Sequence, residues 1–171
     1  MLVPNAINDP IGYLNSLKPD LLILTGGDDL DANSMRDKTE LLLLDHAVRN
    51  QLPVLGICRG MQMINARFVG TLQDVDGHAG VSHDVLFSGP SSGVYGPSCT
   101  VNSFHQKAIT PETLGQNLIP AGTSDGGRTI EAFLHNSLPL AGIMWHPERK
   151  GAPNADETLV WRLITEGIFW A

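Results

Sequence analysis

The stretch Pro53-Val54-Leu55-Gly56-Ile57-Cys58-Arg59-Gly60-Met61-Gln62 restricts the fold of this chain more than any other. An apolar run over 54–57 stops at a Gly-x-Cys-x-Gly turn, and Met61, Ile64 and Phe68 then recur at helical spacing. Strand, sharp turn and helix in this order make a nucleophile elbow, with Cys58 where Ser usually stands. The backbone at the tip of such a turn is strained and side chains beside it collide, which is why Gly56 and Gly60 flank the cysteine. The N-terminus of the following helix is expected to stabilise a Cys58 thiolate. The same five residues also describe a buried cysteine in an ordinary turn, so an elbow needs a base, an orienting carboxylate and an oxyanion hole from elsewhere.

The rest of the chain supplies a frame for it. Ile11, Leu14 and Leu17 fit a short helix stopped by Lys18-Pro19. Leu21-Leu22-Ile23-Leu24 reads as a buried parallel strand, followed by the loop Thr25-Gly26-Gly27-Asp28-Asp29. A helix is expected from Thr39 to Asn50. This β-α-β-α order argues for a doubly wound parallel sheet, in which ligands bind at the carboxyl ends of strands. Both the Gly26-Gly27 loop and Cys58 lie at such ends. After Gly70 turn signals multiply. Short strands are expected at 81–87 and 98–101, a polar segment at 102–106, and a hairpin pair at 119–121 and 129–134. An apolar strand over 140–145 runs into His146-Pro147-Glu148-Arg149, and an amphipathic helix is expected over 156–170. Leu2-Val3-Pro4 reads as the end of a short strand. The 171 residues contain no linker or repeat, so 1–171 reads as one domain.

Three segments then carry the chemistry together. A thiol of ordinary pKa needs a base, and the base needs a carboxylate to hold its tautomer; His146 and Glu148 can fill those roles. The oxyanion hole can come from the backbone N–H of Arg59, next to the nucleophile, and from that of Gly27. Thr25-Gly26-Gly27, then Gly56-Ile57-Cys58-Arg59-Gly60-Met61-Gln62, then Trp145-His146-Pro147-Glu148, in this order, resemble the class I glutamine amidotransferase superfamily over nearly the whole chain.

That resemblance implies an α/β three-layer sandwich, a flavodoxin-like and mostly parallel sheet with helices on both faces. It implies a Cys58-His146-Glu148 triad, with Gly26 and Gln62 beside the γ-glutamyl group. With Val101-Asn102-Ser103-Phe104-His105-Gln106 and Ile143 to Arg149, the sequence is similar to the branch of free-standing γ-glutamyl amide hydrolases, which suggests Ser103, Phe104 and His105 as further pocket residues. For His105 a structural hydrogen bond is an equal alternative. The implied reaction is hydrolysis of a γ-glutamyl amide through a glutamyl thioester, with no cofactor. The alternatives are a glutaminase subunit delivering ammonia to a partner synthase, and a degenerate binding relative. Members of the superfamily usually begin with a strand and a helix ahead of the segment matching Leu2-Val3-Pro4. The expectation is therefore an upstream start, self-association into a homo-oligomer, or takeover of the open pairing by Leu2-Val3-Pro4.

Charge and composition exclude other classes. The formal net charge is −7 without a basic cluster, which argues against nucleic acid. No apolar run reaches membrane-span length, the first residues lack the basic and apolar regions of a signal peptide, and two cysteines make no disulfide framework. A cytoplasmic setting is expected. His78, His83 and His105 match no metal-ligand spacing, so the sequence assigns no metal.

Overall fold

The structure, a computed structural model, describes residues 2–5 and 7–153. Helix α1 spans Pro10–Leu17. The Asp9 carboxylate caps it by accepting the Gly12 N–H at 2.8 Å, Pro10 occupies a first-turn position that needs no N–H, and Lys18 ends it in the left-handed region. Strand β1 is Leu22–Leu24. Helix α2 covers Ser34–Asn50 and so begins ahead of the expected Thr39, because Asn33 supplies the N-cap, accepting the Arg36 N–H at 3.1 Å. Strand β2, Val54–Ile57, and helix α3, Arg59–Arg67, form the expected strand–turn–helix.

The second half is a run of strands: β3 Gln73–Asp74, β4 Ala79–Phe87, β5 Ser98–Phe104, β6 Lys107–Ala108, β7 Leu118–Ser124, β8 Thr129–His135 and β9 Leu140–Ile143, with the short helix α4, Ser92–Tyr95, before β5. Strands β3 and β6 form a small ribbon, and the other seven make one sheet in the order β1-β2-β9-β8-β7-β4-β5. Strands β1, β2 and β9 are parallel. From β9 outward, β8, β7, β4 and β5 add by antiparallel pairing. The α/β architecture is the expected one, and the mixed sheet shows where its two kinds of pairing meet. Every residue of β2 and β9 is buried, as a central parallel strand requires. Helix α3 packs across β1, β2 and β9, with α2 against α3 and α1. Leu44, Leu55, Ile64 and Ile143 are buried in the core, each stabilising the fold by about 1.5–3 kcal/mol, and the buried Trp145 meets Phe87 and Tyr95 edge-on.

Two expectations are corrected. Strand β5 continues through Phe104, so Asn102 and Ser103 are not in a loop before a helical turn; they pair with Ser82 and Val81 of β4. Their side-chain hydrogen bonds, described below, keep these polar residues inside the sheet. Leu2-Val3-Pro4 forms no strand and takes over no pairing. Strand β1 lies at the edge of the sheet and pairs directly with β2, Leu22 beside Val54 and Leu24 beside Gly56. Leu2 and Val3 line, with Leu14, Leu22 and Leu43, a cavity of about 560 Å³ next to that edge. The helix expected over 156–170 lies outside the described residues. Among the described residues no helix is long and apolar enough to cross a membrane.

Candidate active site

Cys58 sits between β2 and α3 with φ 49 and ψ −105, a backbone conformation that L-residues rarely adopt. Steric requirements on both sides hold it there. A Cβ on Gly56 would lie 2.6 Å from the Gly60 carbonyl, and a Cβ on Gly60 would overlap the Leu24 carbonyl oxygen of β1. The Cys58 N–H donates to the Ile143 carbonyl at 2.8 Å, which ties the elbow to the end of β9. His146 follows that same strand.

His146 is almost wholly buried, and its Nδ1 lies 2.6 Å from Glu148 Oε1. The carboxylate can only accept, so Nδ1 carries the proton and Nε2 offers a lone pair. Burial pushes the Glu148 carboxyl up, but the hydrogen bonds from His146 and from its own backbone N–H outweigh this and hold it below the usual range. The Gly26 backbone abuts the imidazole; a Cβ there would stand 2.7 Å from His146 Cε1. Gly26, His146 and Glu148 thus lie together.

At Cys58 burial opposes the expected stabilisation of a thiolate. Burial pushes the Cys58 thiol up to about 11, against the opposing pull of the Arg59 backbone N–H and the Arg149 charge. The α3 N-terminus does favour the thiolate, but desolvation wins, so the isolated thiol is neutral.

The remaining candidates divide. Phe104 meets the His146 ring edge-to-face with centroids 5.7 Å apart, and the Arg149 guanidinium lies over the Phe104 ring at 4.4 Å. Gln62 is buried and its Nε2 donates to the Lys107 carbonyl at 3.3 Å. Ser103 and His105 are turned away from this group. The Ser103 hydroxyl donates to the His78 carbonyl at 2.5 Å, and His105 Nδ1 donates to the Lys107 carbonyl at 3.0 Å.

A family model, Peptidase C26, matches residues 15–148, most of the chain, a span that includes Cys58, His146 and Glu148. The chain belongs to the Peptidase C26 family. It is 37% identical over 139 residues to a gamma-glutamyl-CDP-amidate hydrolase of Campylobacter jejuni, covering 78% of this chain and 64% of that protein. It is 33% identical over 162 residues to the glutamine-hydrolyzing GMP synthase subunit of Methanosarcina barkeri, covering 92% of this chain and 78% of the other. A structure described as a GMP synthase subunit from Thermoplasma acidophilum shares the fold, with a TM-score of 0.77 at 23% identity over 96% of this chain and 78% of that one. The chain spans 64% of the length of its first two curated relatives. These neighbours support the class I glutamine amidotransferase-like superfamily as a whole.

Within this Peptidase C26 domain, the structure adds residues that sequence reasoning missed. Asn102 brackets the backbone of the base: its Oδ1 accepts the His146 N–H at 2.9 Å and its Nδ2 donates to the His146 carbonyl at 2.9 Å. Only its place beside Ser103 could have drawn attention to it. A charged chain also joins the elbow to the glycine loop. The buried Arg59 guanidinium pairs with Asp37 and Glu40, and Glu40 also accepts from Arg36 Nε at 2.7 Å. Arg36 Nη2 then donates to the carbonyls of Thr25 at 2.9 Å and Gly26 at 3.0 Å. The two backbone segments expected to form the oxyanion hole are therefore pinned to one ion-pair network on α2. The histidines that matched no linear motif converge as well. His78, His83 and His105 meet Glu131, and among the described residues these four are the group able to hold a metal ion.

Proposed function

We propose that this chain hydrolyses a γ-glutamyl amide through a glutamyl thioester on Cys58. The observation that carries the proposal is the His146–Glu148 pair, 2.6 Å apart and lying against Gly26, on the strand next to the Cys58 elbow. The neutral thiol gives its proton to His146 Nε2 as sulfur attacks the δ-carbonyl, so no free thiolate has to persist in the buried site. The N–H groups of Arg59 and Gly27 receive the developing oxyanion. His146 returns the proton to the leaving amine as the C–N bond breaks. It then takes one from water, which attacks the thioester carbonyl; the C–S bond breaks, His146 gives the proton back to the Cys58 sulfur, and glutamate leaves. Gly26, Gln62 and Phe104 border the glutamyl group; Ser103 and His105 shape the wall behind it. A small γ-glutamyl compound is the substrate.

Similarity to the glutamine-hydrolyzing GMP synthase subunit over 92% of the chain supports a second reading, a glutaminase passing ammonia to a synthase partner. Glutamate release from free glutamine and from a panel of γ-glutamyl amides separates the two. Faster turnover of a substituted amide than of glutamine, without added protein, supports the hydrolase. Turnover of glutamine alone supports the ammonia-donor reading. A glutamine-like electrophile should label Cys58, and labelling of Cys99 with Cys58 untouched would overturn both. His146→Ala should cost several powers of ten in turnover and Glu148→Gln less.

A further inference from the structure

Behind the candidate active site four side chains from separate strands point at one another. His78 precedes β4, His83 lies within it, His105 follows β5, and Glu131 lies in β8. One nitrogen or oxygen from each falls within 4.8 Å of all the others. Glu131 is 1% exposed, His78 3% and His105 4%.

The outer hydrogen bonds decide what the inner atoms are. His105 Nδ1 faces the Lys107 carbonyl at 3.0 Å, and a carbonyl only accepts, so Nδ1 carries hydrogen and Nε2 is turned inward. His78 Nε2 faces Asp125 Oδ2 at 2.9 Å; a carboxylate likewise accepts, so His78 turns Nδ1 inward. In the neutral rings these inward atoms are bare lone pairs, and they stand 3.3 Å apart with no hydrogen between them. Glu131 Oε2 adds another acceptor, and His83 Nε2 faces it, with a Ser124 hydroxyl that can donate or accept on the other side of the ring. His83 Nε2 and Glu131 Oε2 are 3.5 Å apart and form no hydrogen bond, and both are buried without a partner. Electron pairs that converge without well-formed hydrogen bonds are costly in a dry interior unless a cation sits at their centre.

The spacing suits one. With Glu131 Oε2 as the carboxylate ligand, three of the inter-ligand edges fall between 3.3 and 3.7 Å: His78 Nδ1 to His105 Nε2, His83 Nε2 to Oε2 and His105 Nε2 to Oε2. Ligands about 2.0–2.1 Å from a tetrahedral zinc have edges of roughly 3.3–3.4 Å. The second layer is also that of a metal site: a carboxylate holds His78, a carbonyl holds His105, and Ser124 Oγ lies 3.4 Å from His83 Nδ1. Three imidazoles and one carboxylate favour a borderline divalent ion over calcium or magnesium.

We propose that His78, His83, His105 and Glu131 bind one divalent transition-metal ion, zinc by preference, in a closed structural site. The ion fastens β4, β5 and β8 together. It also supports the base from behind: the Glu131 carbonyl accepts the Met144 N–H at 2.8 Å, two residues before His146.

The test uses the chain stripped with a chelator and titrated with cobalt(II). The expected result is one equivalent of cobalt with the visible absorption of a tetrahedral N/O site, displaced by zinc, and a higher unfolding temperature with zinc than without. Glu131→Gln and His83→Ala should each weaken cobalt binding at least tenfold. If either variant fails to fold, the wild-type titration decides alone. Absence of the cobalt spectrum with no zinc-dependent unfolding shift overturns the proposal, and then an imidazolium holds the cluster. Cobalt binding that both folded variants leave unchanged also overturns it, because the ion then sits elsewhere.

Discussion

Replacing Asn102 probes how the base is held without touching the base. Asn102 is 2% exposed and hydrogen-bonds both the N–H and the carbonyl of the His146 backbone, its Nδ2 also donating to the Lys150 carbonyl at 3.2 Å. In Asn102→Ala the His146 carbonyl keeps the Arg149 N–H at 3.1 Å, but the His146 N–H loses its acceptor inside the protein. An orphaned buried donor costs about 1–3 kcal/mol, and the lost bond to the His146 carbonyl adds roughly 1 kcal/mol, so a loss of about 2–4 kcal/mol in urea unfolding is expected. A base displaced by about 1 Å should lower kcat about 100-fold with KM little changed. Asn102→Asp separates the two halves of the bracket. It keeps an acceptor for the His146 N–H but turns an oxygen towards the carbonyls of His146 and Lys150, now 2.9 and 3.2 Å from Nδ2. Only the protonated acid can donate there, so its pKa is raised in the folded state. The variant should be near wild-type stability below about pH 4 and lose stability as pH rises through the folded pKa. Asn102→Ala within about 0.5 kcal/mol and twofold in kcat of wild type, or Asn102→Asp with a flat pH dependence, would refute the reasoning.

Two further outcomes test the frame. Gly60→Ala should destabilise by at least about 1–3 kcal/mol, because its Cβ meets the backbone of Leu24 and not a movable side chain, whereas Gly93→Ala, with open space around it, should be neutral; equal urea midpoints for the two would contradict this. Strand β1 ends the sheet with Ile23 42% exposed, so self-association that grows with concentration is expected in light scattering, and a monomer throughout would count against it.

What the sequence revealed were features carried by adjacent residues. Gly56, Cys58 and Gly60 are close together because one tight turn needs all three, and His146 and Glu148 because one imidazole needs its carboxylate two residues on. Strands β2 and β9 were visible as apolar runs because both faces of a central strand are buried, and β1 was visible as an equally apolar run although it lies at the edge with Ile23 exposed. Features built across strands were hidden. Asn102 reads as a polar loop residue, and only its pairing with Ser82 reveals that it lies in a strand beside the His146 backbone. Glu131 sits in an otherwise apolar strand, where it looks like a solvated alternate position, yet the antiparallel half of the sheet turns it onto three histidines. No linear spacing encodes that meeting, because β4, β5 and β8 are neighbours only through the order β8-β7-β4-β5. The start of α2 was obscured by Arg36, Asp37 and Lys38, which look like a solvated loop, although Arg36 and Asp37 are partly drawn inward by Glu40 and Arg59.

The charge state of Cys58 carries the last argument. A helix N-terminus stabilises an anion by about 0.3–1 kcal/mol in exposed settings, while moving a thiol from its ordinary value of 9.0 to about 11 corresponds to roughly 3 kcal/mol favouring the neutral form. Burial therefore exceeds the dipole, and the sulfur waits as a thiol. The sign for stability follows: a raised acid pKa makes a contribution that is complete below about pH 9 and is lost as pH rises through the folded value near 11. For reactivity, alkylation of Cys58 by a small neutral reagent should be slow at pH 7 and should still be climbing at pH 9, in wild type and in His146→Ala alike. In the proposed mechanism attack on substrate escapes this restriction because His146 removes the proton within the reaction, so hydrolysis should depend on His146 far more steeply than alkylation does. An alkylation rate already level between pH 6 and 8, and lowered by His146→Ala, would mean that the thiolate and imidazolium stand preformed, and that the Arg149 charge and the Arg59 N–H prevail over burial.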